Sequence, residues 1–129
     1  MEKGRLKLFA KAVGSDNPIF TDEAAARKAG FSSLPAPPTF GHCLTMDTGQ
    51  SFQLLADMEV PLRRAVHGGQ SFRYHRPILA GDVIRGCMKV EAIHEKKGGA
   101  LLFIETVTRL ESQRGEHVCD LASTVIVRN

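Results

Sequence analysis

Midway along the chain the hydrophobic period changes, and no other feature limits the fold as much. In the first half the apolar residues recur at helical spacing, with Leu6, Phe9, Ala10 and Val13 separated by Lys7 and Lys11. From Ala65 onward the repeat is two residues, setting Ser71, Arg73 and His75 against Phe72, Tyr74 and Arg76. A 3.6-residue period buries one stripe of a helix, whereas a two-residue period buries one face of a strand. Helices therefore precede strands, and the fold class is α+β.

Punctuation residues divide the two halves further. The pattern predicts a helix over 4–13 stopped by Gly14, then a turn at Asp16-Asn17-Pro18, with Asp16 and Asn17 capping their own backbone. A second helix is expected to start at Thr21 as its cap, to use Asp22 and Glu23 in its first turn and Ala24 to Ala29 as helix formers, and to end at Gly30. Leu34-Pro35-Ala36-Pro37-Pro38 reads as rigid extended backbone, after which Pro38 or Thr39 opens a third helix running to about Gly49. A less regular stretch leads to the first strand near Ala65 and a turn over 77–81. Strands over 82–94, 100–111 and 116–128 follow, joined at Lys97-Gly98-Gly99 and Arg114-Gly115 as an antiparallel meander. One long helix with a curved antiparallel sheet to wrap it is the outline of a hot-dog fold.

Composition narrows the function classes. A chain of 129 residues predicts one domain, 1–129, and seventeen basic against fourteen acidic side chains leave a net charge of +3, too small and dispersed for a nucleic-acid footprint. Apolar runs such as 100–104 fall short of the ~20 residues of a membrane helix, and the charged first residues do not resemble a secretory leader, so the expectation is a cytoplasmic protein. Cys43, Cys87 and Cys119 are odd in number and widely spaced, which predicts free, mostly buried thiols rather than disulfides or a zinc site. No pair among the five histidines has metal-ligand spacing along the sequence, so no metal is expected.

Three separated segments carry a family resemblance. They are 12–26 with Asn17-Pro18 at its centre, 30–40 with its proline run, and Phe72-Arg73-Tyr74-His75-Arg76-Pro77 through Asp82. Together they resemble the MaoC-like dehydratases, or (R)-specific enoyl-thioester hydratases, and most of all the N-terminal-half or accessory-subunit type of hydroxyacyl-thioester dehydratase. The resemblance spans nearly the whole chain. It implies syn addition of water to a trans-2-enoyl thioester, or the reverse, on coenzyme A or acyl carrier protein, with no further cofactor. Active members hold a carboxylate and an imidazole in Asp-x-Asn-Pro-x-His, and they place a glycine amide after a histidine at the head of the central helix to meet the developing enolate. Here Ser15 stands at the Asp position and Phe20 at the His position, while Pro37-Pro38 replaces His-Gly and offers no amide hydrogen. Both catalytic side chains and the oxyanion donor are missing. Family members also place a strand before the first helix, so one sheet edge is expected to be exposed or completed by a partner.

On this footing the expected substrate-binding residues are Asn17, Pro38, Thr39, Phe40, Arg73 and Arg76, with the arginines able to meet phosphates or an acidic carrier protein as well as solvent. His67, beside Gly68 and Gly69, is the candidate for a replacement catalytic group, against the alternative of an imidazole satisfied by backbone at a dimer contact. His42 reads as core or interface, His75 as exposed or interface, His94 and His117 as surface, and Asp82 as a turn residue. The primary expectation is a subunit that shapes an acyl-thioester site as a homodimer or beside a dyad-bearing MaoC-like chain. Two alternatives stand next to it: a homodimeric hot-dog hydratase or thioesterase using relocated groups such as His67, and a non-enzymatic acyl-CoA binding protein.

Overall fold

A computed structural model describes residues 1–129. Helix α1 spans Lys3–Ala12 and buries Leu6 and Ala10, the stripe its spacing predicted. It ends where Gly14 takes a φ of +70° and the Ser15 amide closes back on the Ala10 carbonyl at 2.9 Å. The turn that follows is capped by Asn17, whose Oδ1 accepts from the Ile19 amide and folds Pro18–Phe20 into one 3-10 turn. Asn17 thus caps as expected, while Asp16, also expected to cap, makes no such bond, because the residue two positions after it is Pro18, which has no amide hydrogen. Helix α2 (Glu23–Lys28) is likewise capped by Asp22, accepting from the Ala24 amide at 2.8 Å, and not by Thr21. The Thr21 amide closes the preceding turn on the Pro18 carbonyl, which leaves Asp22 as the extended residue at the helix entrance.

The helix expected from Pro38 or Thr39 to about Gly49 forms as α3 (Phe40–Asp47), eight residues long, and a further helix follows it. Helix α3 stops before Gly49, which takes φ +67°, and α4 (Gln50–Asp57) restarts in what read as irregular sequence. A left-handed residue breaks the ladder and redirects the axis, and glycine adopts it without a Cβ penalty.

Four strands form one antiparallel sheet: β1 (Ala65–Tyr74), β2 (Ile84–Lys96), β3 (Leu101–Ser112) and β4 (His117–Arg128), in the order β1-β4-β3-β2. The last three make the predicted meander, but β1 lies on the far side of β4 and does not neighbour β2. The segment between β1 and β2 is the cause. It pairs with the proline run, Ala36 donating to the Ile78 carbonyl at 2.7 Å and Ala80 to the Leu34 carbonyl at 2.8 Å, and so carries the chain from one sheet edge to the other instead of turning back. This is the hot-dog arrangement, with β1 and β2 as its two edges.

The core lies between helices and sheet. Leu6, Ala26, Leu34 and Phe40 pack together at one end, Ile78, Leu110, Val118 and Leu121 in the middle, and Leu55 with Ile104 and Val127 at the α4 end. Of the thiols, all free, only Cys119 is buried; Cys43 is half-buried and Cys87 exposed, because edge strand β2 has an uncovered outer face. No helix is long and apolar enough to cross a membrane.

Candidate functional site

A cleft of about 300 Å³ opens between the Pro18–Phe20 turn, the proline run and the end of β1. Ile19, Phe20, Phe31, Pro37, Tyr74 and Ile78 form its walls, with Pro38, Arg76 and Pro77 also lining it. Two local devices fix the walls. The Asn17 cap holds the turn that presents Phe20, and the Ala36 amide bond to Ile78 locks the proline run onto the crossing segment. Fixed apolar walls with few polar groups are the usual form of a site for an apolar ligand.

Two polar side chains reach this cleft. Tyr74 lies parallel to Phe72, 6.0 Å between ring centroids; although the residue is 41% exposed, partial desolvation, followed by the nearby Cys119 thiol, raises its pKa above the ordinary 10. Its phenol is therefore a neutral donor at physiological pH. Arg76 stands at the mouth, 3.3 Å from Glu116 and mostly exposed. At the head of α3, Pro37 and Pro38 contribute no amide; the next amide, that of Thr39, has no acceptor in the chain, and the Phe40 amide is taken by the Pro37 carbonyl.

The sequence-derived candidates separate in space. Phe20, Pro38 and Arg76 line the cleft together. Ser15 is half-buried at the end of α1 and lies outside the lining. The Asn17 side chain is engaged in its cap, and Thr39 is exposed beside the helix head. Phe40 is a core residue, 1% exposed, edge-to-face with Phe9 at 5.2 Å. Arg73 pairs across the sheet with Asp120, on the opposite side of β1 from Phe72 and Tyr74. Alternation along β1 explains that last correction: neighbours of Tyr74 face away from it. Tyr74 itself was missed, since an aromatic in a strand pattern reads as packing.

His67 lines a second cleft, of about 330 Å³, between α3, α4 and β1. Its ring stacks on His42 at 5.4 Å, 14° from parallel, a pairing across 25 residues that spacing does not reveal. Burial, then the neighbouring His67, lowers the His42 pKa below its ordinary 6.5, with Gln70 acting in the opposite direction. Buried His42 Nδ1 and Gln70 Oε1 both lack partners. Gly68 sits in the bulge beside His67 because a Cβ there would lie 2.6 Å from Ile126 Cδ1, so it admits a side chain of the sheet. His75, expected as exposed or interface, and His117, expected as surface, converge on Asp120.

The comparisons with known proteins agree with this architecture. The family described as FAS1-like, dehydratase domain region, matches residues 1–121. A UPF0336 protein of Thermobifida fusca is 36% identical over 96% of this chain and 80% of its own length, and one of Leifsonia xyli is 40% identical over 96% and 82%. Among solved structures, a chain of the HadBC (3R-hydroxyacyl-ACP dehydratase) complex from Mycobacterium tuberculosis is 29% identical, with a TM-score of 0.85 over 97% of this chain and 86% of that one. A MaoC-like dehydratase superposes with a TM-score of 0.89 at 26% identity, over all of this chain and 38% of that longer one. Matched by that family over residues 1–121 and by relatives 36% and 40% identical across nearly all of its length, the chain belongs to the FAS1-like dehydratase domain family of MaoC-like proteins.

Proposed function

We propose that this chain is the non-catalytic partner in a MaoC-type enoyl-thioester hydratase or 3-hydroxyacyl-thioester dehydratase, forming part of the wall of the acyl site while a paralogous chain supplies the acid-base pair. The observation that carries this reading is the first cleft. By the family resemblance Phe20 stands at the imidazole position and Pro38 at that of the amide donor, and both line this apolar cleft, while Ser15, at the carboxylate position, lies outside its lining. Hydration needs a base for the water and a donor for the enolate oxygen, and neither lies on this chain at those positions. What the cleft offers is a fixed apolar channel for an acyl chain, a neutral phenol at Tyr74 and a cation at its mouth, Arg76, suited to the phosphates or acidic surface of a thioester carrier.

Similarity to a chain of HadBC, a complex of two different subunits by its name, supports the partner half of the proposal. Co-expression with a dyad-bearing MaoC-like chain from the same genome is the test, read by crotonyl-CoA hydration. The isolated chain is expected to show essentially no turnover, since each lost acid-base group removes about 10²- to 10⁴-fold, and the co-purified pair is expected to turn over. A second reading has its own observation, the stacked His42 and His67 in the other cleft. Robust turnover by the isolated chain that disappears in His67→Ala would establish that reading and overturn the first.

A further inference from the structure

The end of β1 and the start of β4 bring together three side chains that neither cleft uses. Asp120 meets two imidazoles at once: His75 Nε2 lies 2.9 Å from Oδ2, and His117 Nε2 lies 2.8 Å from Oδ1. The two rings are 4.1 Å apart between centroids and tilted by 37°. One ligand atom from each of the three residues falls within 4.8 Å of the other two. We propose that His75, His117 and Asp120 form a binding site for a first-row divalent transition metal, of the two-histidine, one-carboxylate type.

The backbone sets this convergence. His75 follows the last residue of β1, and its amide and that of Arg76 both donate to the Val118 carbonyl, at 2.9 and 3.2 Å, which pins the strand end against β4. In a regular strand His117 and Asp120, three residues apart, would face opposite sides. The register shift between Leu110 and Glu111 on β3 breaks the alternation where His117 enters the sheet, and both side chains reach one side. Metal–imidazole bonds of about 2.0–2.1 Å and metal–carboxylate bonds of about 2.0–2.2 Å place tetrahedral ligand atoms roughly 3.4 Å apart. Small side-chain rotations from the present 2.8–2.9 Å contacts therefore admit an ion.

The chemistry of the donor set selects the ion. Two imidazoles and one carboxylate suit zinc, cobalt, nickel or iron over magnesium or calcium, which take oxygen. Three protein ligands leave at least one position for water or another small donor. The surroundings are mixed in charge. Arg109 faces Asp120 from β3, but its Nε is held by Glu111 at 2.8 Å. Arg73 faces it from β1, and Glu116 nearby is shared by Arg76 and Arg114. A bound ion would fix the strand end carrying Tyr74 and Arg76 against β4.

Isothermal titration of chelator-treated, tag-free protein with zinc chloride and with cobalt chloride tests the site, alongside visible absorption of the cobalt form. The expected result is one equivalent bound, cobalt d–d bands that zinc abolishes, and a higher Tm in zinc. His117→Ala and Asp120→Asn should each weaken binding at least tenfold, and His94→Ala, at a histidine outside the cluster, should leave it unchanged. Circular dichroism of the metal-free variants separates loss of the site from loss of fold, and a variant that misfolds is replaced by His75→Gln. No binding of either ion by the parent protein, or undiminished binding in a folded His75→Gln, His117→Ala double variant, overturns the proposal.

Discussion

His42 shows how one partly buried side chain makes stability depend on pH. Its imidazole is desolvated and stacked on His67, so its pKa in the folded chain lies below the ordinary 6.5. The unfolded chain then binds more protons than the folded one between those two values, and stability rises with pH across that window. The contribution is fully present above pH 6.5 and is lost as pH falls toward the folded pKa. Urea midpoints of the parent protein should accordingly drop between pH 7.5 and 5.5, and His42→Gln, which cannot take up a proton, should show a smaller drop. Equal drops in the two proteins would show that another group carries the effect. At the first cleft the residue scale has the opposite character: Phe20 and Pro38 are chemically inert, and they matter by shape.

Among the elements, the junction between α3 and α4 falls at Gly49, where the sequence pattern ended its third helix without foreseeing the helix that follows. Gly49 holds φ +67°, and a Cβ built there meets nothing within 4 Å. A substitution therefore tests backbone conformation free of any clash. Gly49→Ala should destabilise the protein by about 1 kcal/mol, and Gly49→Asn by less, because asparagine tolerates the left-handed region better. Thermal or urea unfolding checks both, and equal losses for the two variants would remove the conformational explanation. The division has a consequence for position: α3 and α4 both border the second cleft, which is lined by His42 and Met46 from one and by Phe52 and Leu55 from the other. A continuous straight helix would not enclose that space from two directions.

For the whole molecule the surface area is informative. The chain exposes 7748 Å², whereas a folded monomer of this mass exposes about 6,700 Å². The excess is roughly 1,000 Å², near the ~800 Å² that each partner contributes to a standard interface. Large apolar side chains account for part of it, among them Phe52, Leu62 and Val66 around the second cleft and Val83, Val90 and Ile93 near the β2 edge. Both outer strands, β1 and β2, also present unpaired backbone. We expect a homodimer or larger assembly of the isolated chain at micromolar concentration, measured by multi-angle light scattering. A monodisperse monomer would contradict it.

Local chemistry determined the parts that the amino-acid sequence specifies by itself. The change of period from 3.6 to 2 gave helices before strands, the glycine turns gave the β2-β3-β4 meander, and the prolines at 37 and 38 already removed an amide from the head of the central helix. Each depends on residues close along the chain, where propensity and hydrogen-bond inventory act directly. Tertiary structure alone decided that β1 joins β4, because pairing across the sheet depends on how residues 76–83 bind the proline run. It alone placed Tyr74 beside Phe20, stacked His67 on His42, and sent Arg73 to the far side of β1. His75 and His117 are 42 positions apart in sequence and meet at Asp120 only through strand register and a bulge. Register is a collective outcome of packing one sheet face against the helices, and no spacing along the chain encodes it.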